Sequence, residues 1–501
     1  MSTGPGFDVI VVGSGFGGAV NGARLAEAGL RVLMLERGPW WGPEQRTRPD
    51  ADRRDYPRGP FGSRKFLRGL RWARHGRRFE RVLQVDGFLE MHRFDRLMTV
   101  TSSGVGGGSH HYTSIMAEPP AEFFDAYPPE ITGLELHPCF ERVRATLRPS
   151  PLPQRPEKDR VFAGAVAAAG LPATQSPDLA VAWATDPRRP TAVENAAGVR
   201  QRTSTYRGWV FTGCDDGSNT SLDLTYVPLA LRHGAQLRPL CEVVAIRRDE
   251  SGYLVRYLDH RTGREAIERA PRLILAAGCL NTLRLLFAAR DRDHTLPQLS
   301  AMLGRRFSIN GDRLSLVWRS RVLRDSSWGP SFSAVCHVER DGRHSYDLGA
   351  VGLPVQTFPL PSALTGPLKH STFLFSMGRD SSTGEIAFDG IGLTTRLSRS
   401  NSADLFDRTE DAMARVARHY EARHVLPSRR EGRDGLFAVH PMGGCAMAGS
   451  ADAGVTDHKG EVFGHPGLFV ADGSLYPRSP GVAPSMTIAA LAERQAQLIS
   501  G

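Results

Sequence analysis

Residues 7–38, at the start of the chain, read FDVIVVGSGFGGAVNGARLAEAGLRVLMLERG. Apart from Asp8, the run 7–12 is apolar and rich in β-branched residues, which is typical of a strand buried on both faces of a parallel sheet. Gly13, Gly15 and Gly18 follow in G-x-G-x-x-G spacing. The first glycine permits a tight turn, the second lets backbone N–H groups approach a pyrophosphate, and the third lets a helix pack on the strand. This order predicts the start of a nucleotide-binding βαβ unit.

The same stretch continues with a helical segment at 21–27, which ends at Gly29, and a second buried strand at 31–35. Glu36 follows at the tip of this strand, where dinucleotide-binding folds hold a ribose diol. An acid at this position disfavours a 2′-phosphate but accepts either NAD or FAD. The unit therefore predicts a dinucleotide cofactor, and the rest of the chain must decide which one.

Length and composition are typical of a two-domain α/β enzyme. The 501 residues exceed one ordinary core, and 41% hydrophobic residues with 53 glycines suit a loop-rich enzyme. No run of about eighteen apolar residues is present, so no membrane span is expected. No export signal precedes the first strand, so we expect a cytoplasmic protein. The six cysteines show neither C-x-x-C pairs nor metal-ligand spacing, so we expect reduced thiols and no metal site.

The chain is basic, with a net charge of +10, and many of its arginines lie between positions 46 and 81 among aromatic residues. Such a stretch can bind nucleic acid or an anionic surface. It also contains Pro57 and Pro60, and it lies between two segments of the nucleotide-binding fold. We therefore predict a surface excursion or lid over the active site, and no nucleic-acid partner.

The remaining segments alternate between the nucleotide fold and a second domain. A strand-like run at 98–103 leads into the glycine-rich stretch 104–108, and 272–289 reads as another strand, turn and helix. Between about 313 and 425 the pattern changes to many short strands with a helix at 403–422, and a closing helix follows at 487–499. The predicted fold class is α/β, with a Rossmann-like parallel-sheet domain interrupted by a mainly antiparallel α+β domain.

Separated motifs in a fixed order identify a family. They are GSGFGG with Glu36, GVGGGS at 104–109, LILAAGCLNTLRLL at 273–286, HPMGGC at 440–445, VADGSLYP at 470–477 and PSMTIAALAER at 484–494. With these motifs the chain resembles the glucose-methanol-choline family of FAD-dependent oxidoreductases, and within it the branch of bacterial cholesterol oxidases. The resemblance extends over nearly the whole chain and is loosest in the middle domain.

The resemblance implies FAD as the cofactor and a bipartite chain. The FAD-binding domain then comprises 1–44, 86–119, 203–318 and 430–501, the basic excursion or lid comprises 45–85, and the substrate-binding domain comprises 120–202 and 319–429. Carried over by position, the residues implied to bind FAD are Gly13, Gly15 and Gly18 at the pyrophosphate, Glu36 at the ribose, Gly106, Gly107, Gly108 and Ser109 at the flavin, Val243 and Gly278 at the adenosine half, Asp472 and Gly473 at the ribityl chain, and Pro484 and Met486 in the last motif.

His440 is the residue that the resemblance implies as catalytic. In the family, a histidine manages the hydroxyl proton of an alcohol while hydride passes from the same carbon to flavin N5, and an imidazole titrates near neutrality. The structural alternative is a buried, hydrogen-bonded core histidine. The family places Asn or a second His where this chain has Ala483, whose side chain offers neither donor nor acceptor. The glutamate that many cholesterol oxidases use for isomerisation has no counterpart at 347–354.

The predicted function is therefore FAD-dependent oxidation of a hydroxyl group on a bulky apolar substrate, sterol-like or another polycyclic natural product. Oxygen or another electron acceptor then reoxidises the flavin. The alternative is an FAD-containing lyase or isomerase of the same fold that uses His440 as an acid or base without net oxidation. A binding protein without turnover is disfavoured because His440 is present.

His110 and His111 follow the glycine-rich stretch, at the place where the chain passes the flavin in the family fold. Some members of the family attach FAD covalently through a histidine in this loop, and the matching position here is His111. The alternatives are a hydrogen bond from this histidine to the flavin or to the substrate. The sequence leaves open whether His111 forms a covalent bond to FAD, a hydrogen bond to the flavin or a hydrogen bond to the substrate.

Overall fold

The structure is a computed structural model, and it describes residues 6–42, 53–58, 62–74, 77–208, 210–355, 362–426 and 435–501. The strands of these ranges are β1 (Val9–Val12), β2 (Val32–Leu35), β3 (Trp40–Trp41), β4 (Arg53–Arg54), β5 (Leu67–Arg74), β6 (Arg77–Val82), β7 (Leu89–Phe94), β8 (Leu97–Ser102), β9 (Thr174–Gln175), β10 (Ala192–Glu194), β11 (Arg200–Arg202), β12 (Gln236–Arg238), β13 (Cys241–Asp249), β14 (Gly252–Asp259), β15 (Arg264–Ala270), β16 (Arg272–Leu275), β17 (Arg313–Trp318), β18 (Phe332–Arg340), β19 (Arg343–Gly352), β20 (Thr372–Gly378), β21 (Ile386–Phe388), β22 (Leu393–Thr395), β23 (Arg423–Val425), β24 (Leu436–Ala438) and β25 (Leu468–Val470).

The helices of the same ranges are α1 (Phe16–Glu27), α2 (Gly133–Leu147), α3 (Glu157–Ala168), α4 (Tyr226–Arg232), α5 (Cys279–Phe287), α6 (Ser362–Lys369), α7 (Ala403–Arg418) and α8 (Ser485–Ser500). Short helical turns lie at Ser63–Lys65, Gly107–His110, Ala121–Ala126, Val210–Thr212, Leu222–Leu224, Ala288–Arg292, Arg399–Ser402 and Gly473–Leu475. Within the described ranges, no helix combines the length and the apolar character that crossing a membrane requires.

A five-stranded parallel sheet forms the centre of the nucleotide fold, in the order β12-β2-β1-β16-β25. Its register pairs Val9 with Val32 on one side and with Arg272 on the other. The strands β1 and β2 are buried along their whole length, as their continuous apolar runs predict. Helix α1 packs against α4 and α8. The predicted βαβ unit and the Rossmann-like parallel sheet are confirmed.

Two further sheets flank the nucleotide fold. Strands β13, β14 and β15 form an antiparallel meander, and Asp249 pairs with Gly252 at the hairpin between β13 and β14. The second sheet has the order β24-β8-β7-β5-β6. It includes β5 and β6 from the segment 45–85, so the described part of the basic segment is a strand pair built into a sheet. The segments 45–52, 59–61 and 75–76 of the predicted lid lie outside the described residues.

A six-stranded antiparallel sheet, β23-β17-β20-β19-β18-β9, forms the second domain, and α3 and α7 pack on it. The prediction of a mainly antiparallel domain is confirmed. Two boundaries differ from the sequence division. Strand β17, placed with the FAD-binding domain in 203–318, pairs with β20 and β23 of this sheet. Helix α2, placed with the substrate domain in 120–202, packs against α8 of the nucleotide fold.

The boundary errors have a physical cause. Strand β17 alternates buried and half-buried residues, a pattern that a strand of either domain can show. Helix α2 has Pro138 in its interior, which obscures its period, although Thr132 caps it by accepting from the Glu135 N–H at 3.1 Å. Its buried side chains, such as Leu136 and Phe140, join the core around the parallel sheet. Local patterns therefore give the elements, and long-range packing decides which domain holds them.

Candidate active site

One large cavity, of about 1290 Å³, lies between the parallel sheet and the six-stranded sheet. Most of the predicted site residues line it: Gly13, Gly15, Glu36, Gly107, Gly108, His111, Val243, Gly278, His440, Asp472, Gly473, Ala483 and Pro484. The other four, Gly18, Gly106, Ser109 and Met486, lie outside its lining. Residues from distant parts of the chain thus meet at one place, and the hairpin β5–β6 borders the same cavity through Arg71, Arg81 and Val82.

Two glycine-rich turns face each other across the polar end of the cavity. Gly13 has φ +95°, and a Cβ there would lie 2.3 Å from the Ala276 carbonyl oxygen. Gly107 has φ +54°, and a Cβ there would lie 2.7 Å from the Cα of Gly15. Helix α1 begins at Phe16 with no side-chain cap, so its first N–H groups remain available beside these turns. Bare backbone and a helix N-terminus suit a pyrophosphate.

Gly18 does not line the cavity, because it packs behind the turn. A Cβ at Gly18 would lie 2.1 Å from the Gly13 carbonyl oxygen, so the third glycine permits contact between α1 and the turn. Ser109 is also behind the wall, where its Oγ donates to the Gly106 carbonyl at 2.7 Å and accepts from the Leu222 N–H at 3.0 Å. These residues support the two turns from behind, and their assignment to the cofactor stays a prediction.

Glu36 connects the two turns from the end of β2. Its Oε2 accepts from the Ser14 N–H at 3.0 Å and from the Ser14 hydroxyl at 2.7 Å. Its Oε1 accepts from the Gly38 N–H at 2.9 Å, and the Ser14 Oγ accepts from the Gly106 N–H at 3.1 Å. The carboxylate is thereby fixed in one orientation, with capacity left to accept from a ribose hydroxyl. Sequence reasoning missed Ser14, which occupies the variable position between two glycines.

Asp472 lies just beyond β25, at the carboxyl edge of the parallel sheet. Its Oδ1 accepts from the Ser474 N–H at 2.9 Å and its Oδ2 accepts from the Thr282 hydroxyl at 2.6 Å. Burial raises the pKa of the Asp472 carboxyl above its ordinary value. This edge is where open parallel sheets bind ligands, so Asp472 and Gly473 are placed as the sequence predicts. Thr282, on the first turn of α5, was not predicted.

His440 lines the cavity and is held by Asp312. The His440 Nδ1 lies 2.9 Å from Asp312 Oδ1, while Asp312 Oδ2 accepts from the backbone N–H groups of Val439 at 2.8 Å and His440 at 3.1 Å. We assign the shared proton to Nδ1, because the two backbone donors stabilise the carboxylate form. Nε2 then carries a free lone pair, and it has no hydrogen-bond partner among the described residues.

Asp312 is a third site residue that the sequence did not predict. Its side chain is fully buried, and burial raises its pKa, against which the contacts with His440 and the two backbone N–H groups act. The sequence RRFSINGD at 305–312 shows only polar turn chemistry. The partners are 128 positions apart, so no local pattern connects them. The contact between Asp312 and His440 is apparent only in the fold, which places the start of β17 beside the HPMGGC segment.

The opposite wall of the cavity is apolar and comes from the six-stranded sheet. Phe373, Phe375 and Met377 alternate along β20 and therefore project from the same face, and all three line the cavity. The other apolar lining residues include Ile115, Phe211, Phe332, Val351 and Leu353. The Phe375 ring lies 6.1 Å from the His440 ring, between centroids. The free imidazole nitrogen thus sits where the polar cradle meets an aromatic wall.

Ala483 belongs to this apolar wall. It is 6% exposed and joins a cluster of buried side chains with Phe332, Val351 and Met377. Its loop is fixed by Asn310, which accepts from the Gly481 N–H at 2.9 Å and donates to the Val482 carbonyl at 3.0 Å. The position faces the cavity with a methyl group, so His440 receives no polar partner from this side.

The two neighbouring histidines have different surroundings. His110 is buried, with Nε2 2.6 Å from the Val105 carbonyl and Nδ1 2.9 Å from the Tyr56 hydroxyl, so both ring nitrogens are used inside the protein. His111 lines the cavity, with Nδ1 3.4 Å from the Phe211 carbonyl, while its buried Nε2 has no partner among the described residues. Burial lowers the pKa of His111 to about 3, so its imidazole is neutral. Only His111 is placed to meet a bound molecule.

Comparisons with known proteins agree with this arrangement. Residues 395–492 match the family model described as GMC oxidoreductase, and residues 11–82 match the model of an NAD(P)-binding Rossmann-like domain. A cholesterol oxidase of Mycobacterium tuberculosis is 28% identical, with 99% of this chain and 91% of that protein aligned. A cholesterol oxidase of Acinetobacter baumannii is 23% identical over 97% of this chain and 93% of that protein. The chain is thus similar to glucose-methanol-choline (GMC) oxidoreductases over residues 395–492 and to cholesterol oxidases over nearly its whole length. It is an oxidoreductase, and members of the GMC family act on alcohol groups.

Two further likenesses concern the substrate and the fold. A 2-methyl-1,2-propanediol dehydrogenase of Mycolicibacterium austroafricanum is 24% identical over 98% of this chain and 95% of that protein, so similar chains differ in substrate. The solved structure described as pyridoxine 4-oxidase from Mesorbium loti has a TM-score of 0.65 at 18% identity, with 98% of this chain and 99% of that chain covered. That likeness shows the same fold over nearly the whole chain and does not bear on the substrate.

Proposed function

We propose that this oxidoreductase binds FAD and oxidises a hydroxyl group on a bulky apolar substrate. The observation that carries the proposal is the position of His440, whose Nδ1 is held by Asp312 at 2.9 Å on the wall of a cavity that is polar and glycine-lined at one end and aromatic at the other. One end suits a dinucleotide and the other suits an apolar alcohol. The base lies between them.

The residues of the polar end fit FAD. Gly13, Gly15 and the N-terminus of α1 would hold the pyrophosphate, and Glu36 would accept from the adenosine ribose. Val243 and Gly278 would lie along the adenosine half, Gly107 and Gly108 along the flavin, and Asp472, Gly473 and Pro484 along the ribityl side. Gly13 and Gly107 present bare backbone at the polar end, where the cofactor would approach. A side chain at either position would collide with neighbouring backbone, so both positions require glycine. When bound, FAD supplies a two-electron acceptor for the hydride of the alcohol carbon.

His440 is suited to take the hydroxyl proton. The contact with Asp312 keeps the proton of the imidazole on Nδ1, which leaves the Nε2 lone pair to accept. The imidazolium that results is stabilised by the Asp312 carboxylate behind it. A positioned base of this kind contributes about 10²–10⁴ in rate. The two backbone N–H groups that donate to Asp312 keep the carboxylate from rotating away from the ring.

The substrate class follows from the apolar wall. Three side chains of β20 and their neighbours on β18 and β19 offer aromatic and aliphatic surface. The cavity volume of about 1290 Å³ exceeds the range of about 300–1,000 Å³ that holds one drug-sized ligand, which leaves room for a large alcohol beside a dinucleotide. Burial of apolar surface is worth about 25 cal/mol per Å², so affinity should grow with the apolar body of the alcohol.

Ala483 supports a second candidate, a lyase or isomerase that keeps FAD and uses His440 as an acid or base without net oxidation. The methyl group of Ala483 packs with Phe332 and Met377, so no second polar group assists at the carbinol from that side. The third idea, a binding protein without turnover, is disfavoured by the intact Asp312–His440 pair, which has no use in binding alone.

A series of alcohols of growing apolar size tests the substrate class. We expect kcat/KM, followed by oxygen consumption and by reduction of an artificial dye, to rise from short to polycyclic alcohols. Phe373→Asn should weaken this preference by placing an amide in the wall, whereas Phe79→Asn, at an exposed ring outside the cavity, should not. The best turnover with small polar alcohols, unaffected by Phe373→Asn, would contradict the proposed substrate class.

A further inference from the structure

A cluster of metal-ligating side chains lies on the hairpin β18–β19, outside the large cavity. His337, His344 and Asp347 each place one donor atom within 4.8 Å of the donor atoms of the other two. The Asp347 Oδ1 lies 2.6 Å from His337 Nδ1 and 3.7 Å from His344 Nε2. The two imidazole rings lie 6.2 Å apart, between centroids. None of the three residues lines the cavity, so the proposed oxidation does not use them.

A β-bulge brings the third side chain to this cluster. His337 and Asp347 are directly opposite in the antiparallel pair, so their side chains share a face. His344 is three positions from Asp347 and would project from the other face of a regular strand. The register shifts here, because Val338 pairs with Tyr346 while Glu339 pairs with His344, which leaves Ser345 as the extra residue. A bulge of this kind re-aims a side chain, and here it turns His344 towards Asp347.

The cluster combines a buried carboxylate with an open side. The Asp347 side chain is 5% exposed and that of His344 is 11% exposed, whereas that of His337 is 43% exposed. An ion can therefore enter past His337 and meet two ligands fixed by the strand. The cation Arg379, which contacts the His344 carbonyl, is paired with Glu122 at 2.7 Å, which reduces its repulsion of a metal ion.

We propose that His337, His344 and Asp347 bind a divalent transition-metal ion of the Zn²⁺ class. Two imidazole nitrogens and one carboxylate oxygen are ligands that Zn²⁺ takes, with water in the remaining position, whereas Ca²⁺ and Mg²⁺ prefer sites made of oxygen alone. Binding displaces the proton between His337 and Asp347, and it draws His344 Nε2 from the Gly481 carbonyl, 3.2 Å away. Gly481 precedes Ala483 by two residues, so binding of the ion would remove a contact between His344 and the loop that borders the cavity. Sequence spacing predicts no metal site because the bulge that assembles the ligands is invisible in it.

Calorimetric titration of the full chain with Zn²⁺ tests the site. The protein carries no histidine tag and is first dialysed against a chelator. We expect each chain to bind one Zn²⁺ ion tightly. His344→Gln and Asp347→Asn should each weaken the affinity for Zn²⁺ by more than about tenfold, because even the removal of a residue that only orients a metal ligand typically costs that much. His419→Gln, at an exposed histidine on the end of α7, should leave binding unchanged.

Two further measurements keep the result interpretable. Thermal unfolding should shift upwards with Zn²⁺ in the wild-type chain and in His419→Gln, and not in His344→Gln. His337→Gln, at the half-exposed ligand, replaces any variant whose circular dichroism shows misfolding. Equal binding by the wild-type chain and all three ligand variants, or no binding at micromolar Zn²⁺, would overturn the site.

Discussion

The two ends of the cavity are built in different ways. The polar end is made of backbone: glycines with positive φ at Gly13 and Gly107, a helix N-terminus, and a carboxylate fixed by N–H groups. The aromatic end is made of side chains that long-range pairing of β18, β19 and β20 brings together. A site made of backbone tolerates little sequence variation, while a site made of side chains can be resurfaced. The polar end is therefore the part that local sequence motifs can predict, and the aromatic end depends on the pairing of distant strands.

The first prediction attacks the backbone end, where the expected effect is complete. Gly15→Glu should abolish FAD binding, because a carboxylate would occupy the approach of the pyrophosphate and repel its charge. The measurement is the flavin content of the purified chain by absorbance. Gly164→Glu makes the same change at an exposed helical position with no atom within 4 Å of the added Cβ, and should retain FAD. Full flavin content in Gly15→Glu would show that the turn at Gly15 does not hold the pyrophosphate.

The second prediction concerns the base at the junction of the two ends. His440→Ala should lower kcat by about 10²–10⁴ with FAD retained, because the hydroxyl proton loses its acceptor. Steady-state turnover of the best alcohol measures the effect, and His419→Ala is the exposed control. Near-normal turnover would return His440 to the role of a hydrogen-bonded core histidine.

The third prediction separates the positioning residue from the base. Asp312→Asn should lower kcat by on the order of tenfold with KM nearly unchanged, because the ring keeps its place but loses the charge that stabilises it. In the His440→Ala background, Asp312→Asn should have no further effect on kcat. Additive losses in the double variant would show that Asp312 acts independently of His440.

The fourth prediction uses the acid response of His111. Its pKa is lowered from 6.5 to about 3 in the folded chain, chiefly by burial. Below pH 6.5 the imidazole of His111 therefore binds a proton in the unfolded chain but not in the folded chain. The free energy of unfolding falls as the pH drops from 6.5 towards 3. The slope from this residue is at most about 1.4 kcal/mol per pH unit. His111→Leu should flatten the dependence in urea unfolding, whereas an unchanged slope would show that His111 does not carry it.

The smallest effect is expected at the apolar end. Ala483→Asn should raise flavin reduction by an apolar alcohol severalfold, less than the roughly hundredfold that an oriented donor provides, because its neighbours Phe332 and Met377 cannot hold the amide in place. Ala483→Val is the matched apolar control. A fall in native activity would favour the non-oxidative alternative, and no change would mean that the position does not face the reacting atoms.

The sequence predicts the cofactor end closely because its signals are local. Glycine spacing, a buried strand and a terminal acid lie within 30 positions, and the structure places Gly13, Gly15 and Glu36 together as expected. Asp312 and Ser14 were missed because one depends on a contact 128 positions away and the other occupies a variable motif position. His111 lines the cavity and its buried Nε2 has no partner among the described residues, whereas both ring nitrogens of His110 are bonded within the protein. Covalent attachment of FAD through His111 stays a prediction, which acid precipitation and mass measurement can decide.

Anaerobic mixing of the purified chain with a bulky apolar alcohol, with flavin absorbance followed in time, tests the central claim most directly. We expect the oxidised flavin bands to bleach at a rate that depends on the alcohol concentration, and the ketone or aldehyde to form in equal amount. His440→Ala should slow the bleaching at least a hundredfold, the lower end of the range for such a base. Product without bleaching would contradict the account and support a lyase or isomerase. A purified chain that carries no flavin and binds none would refute it altogether.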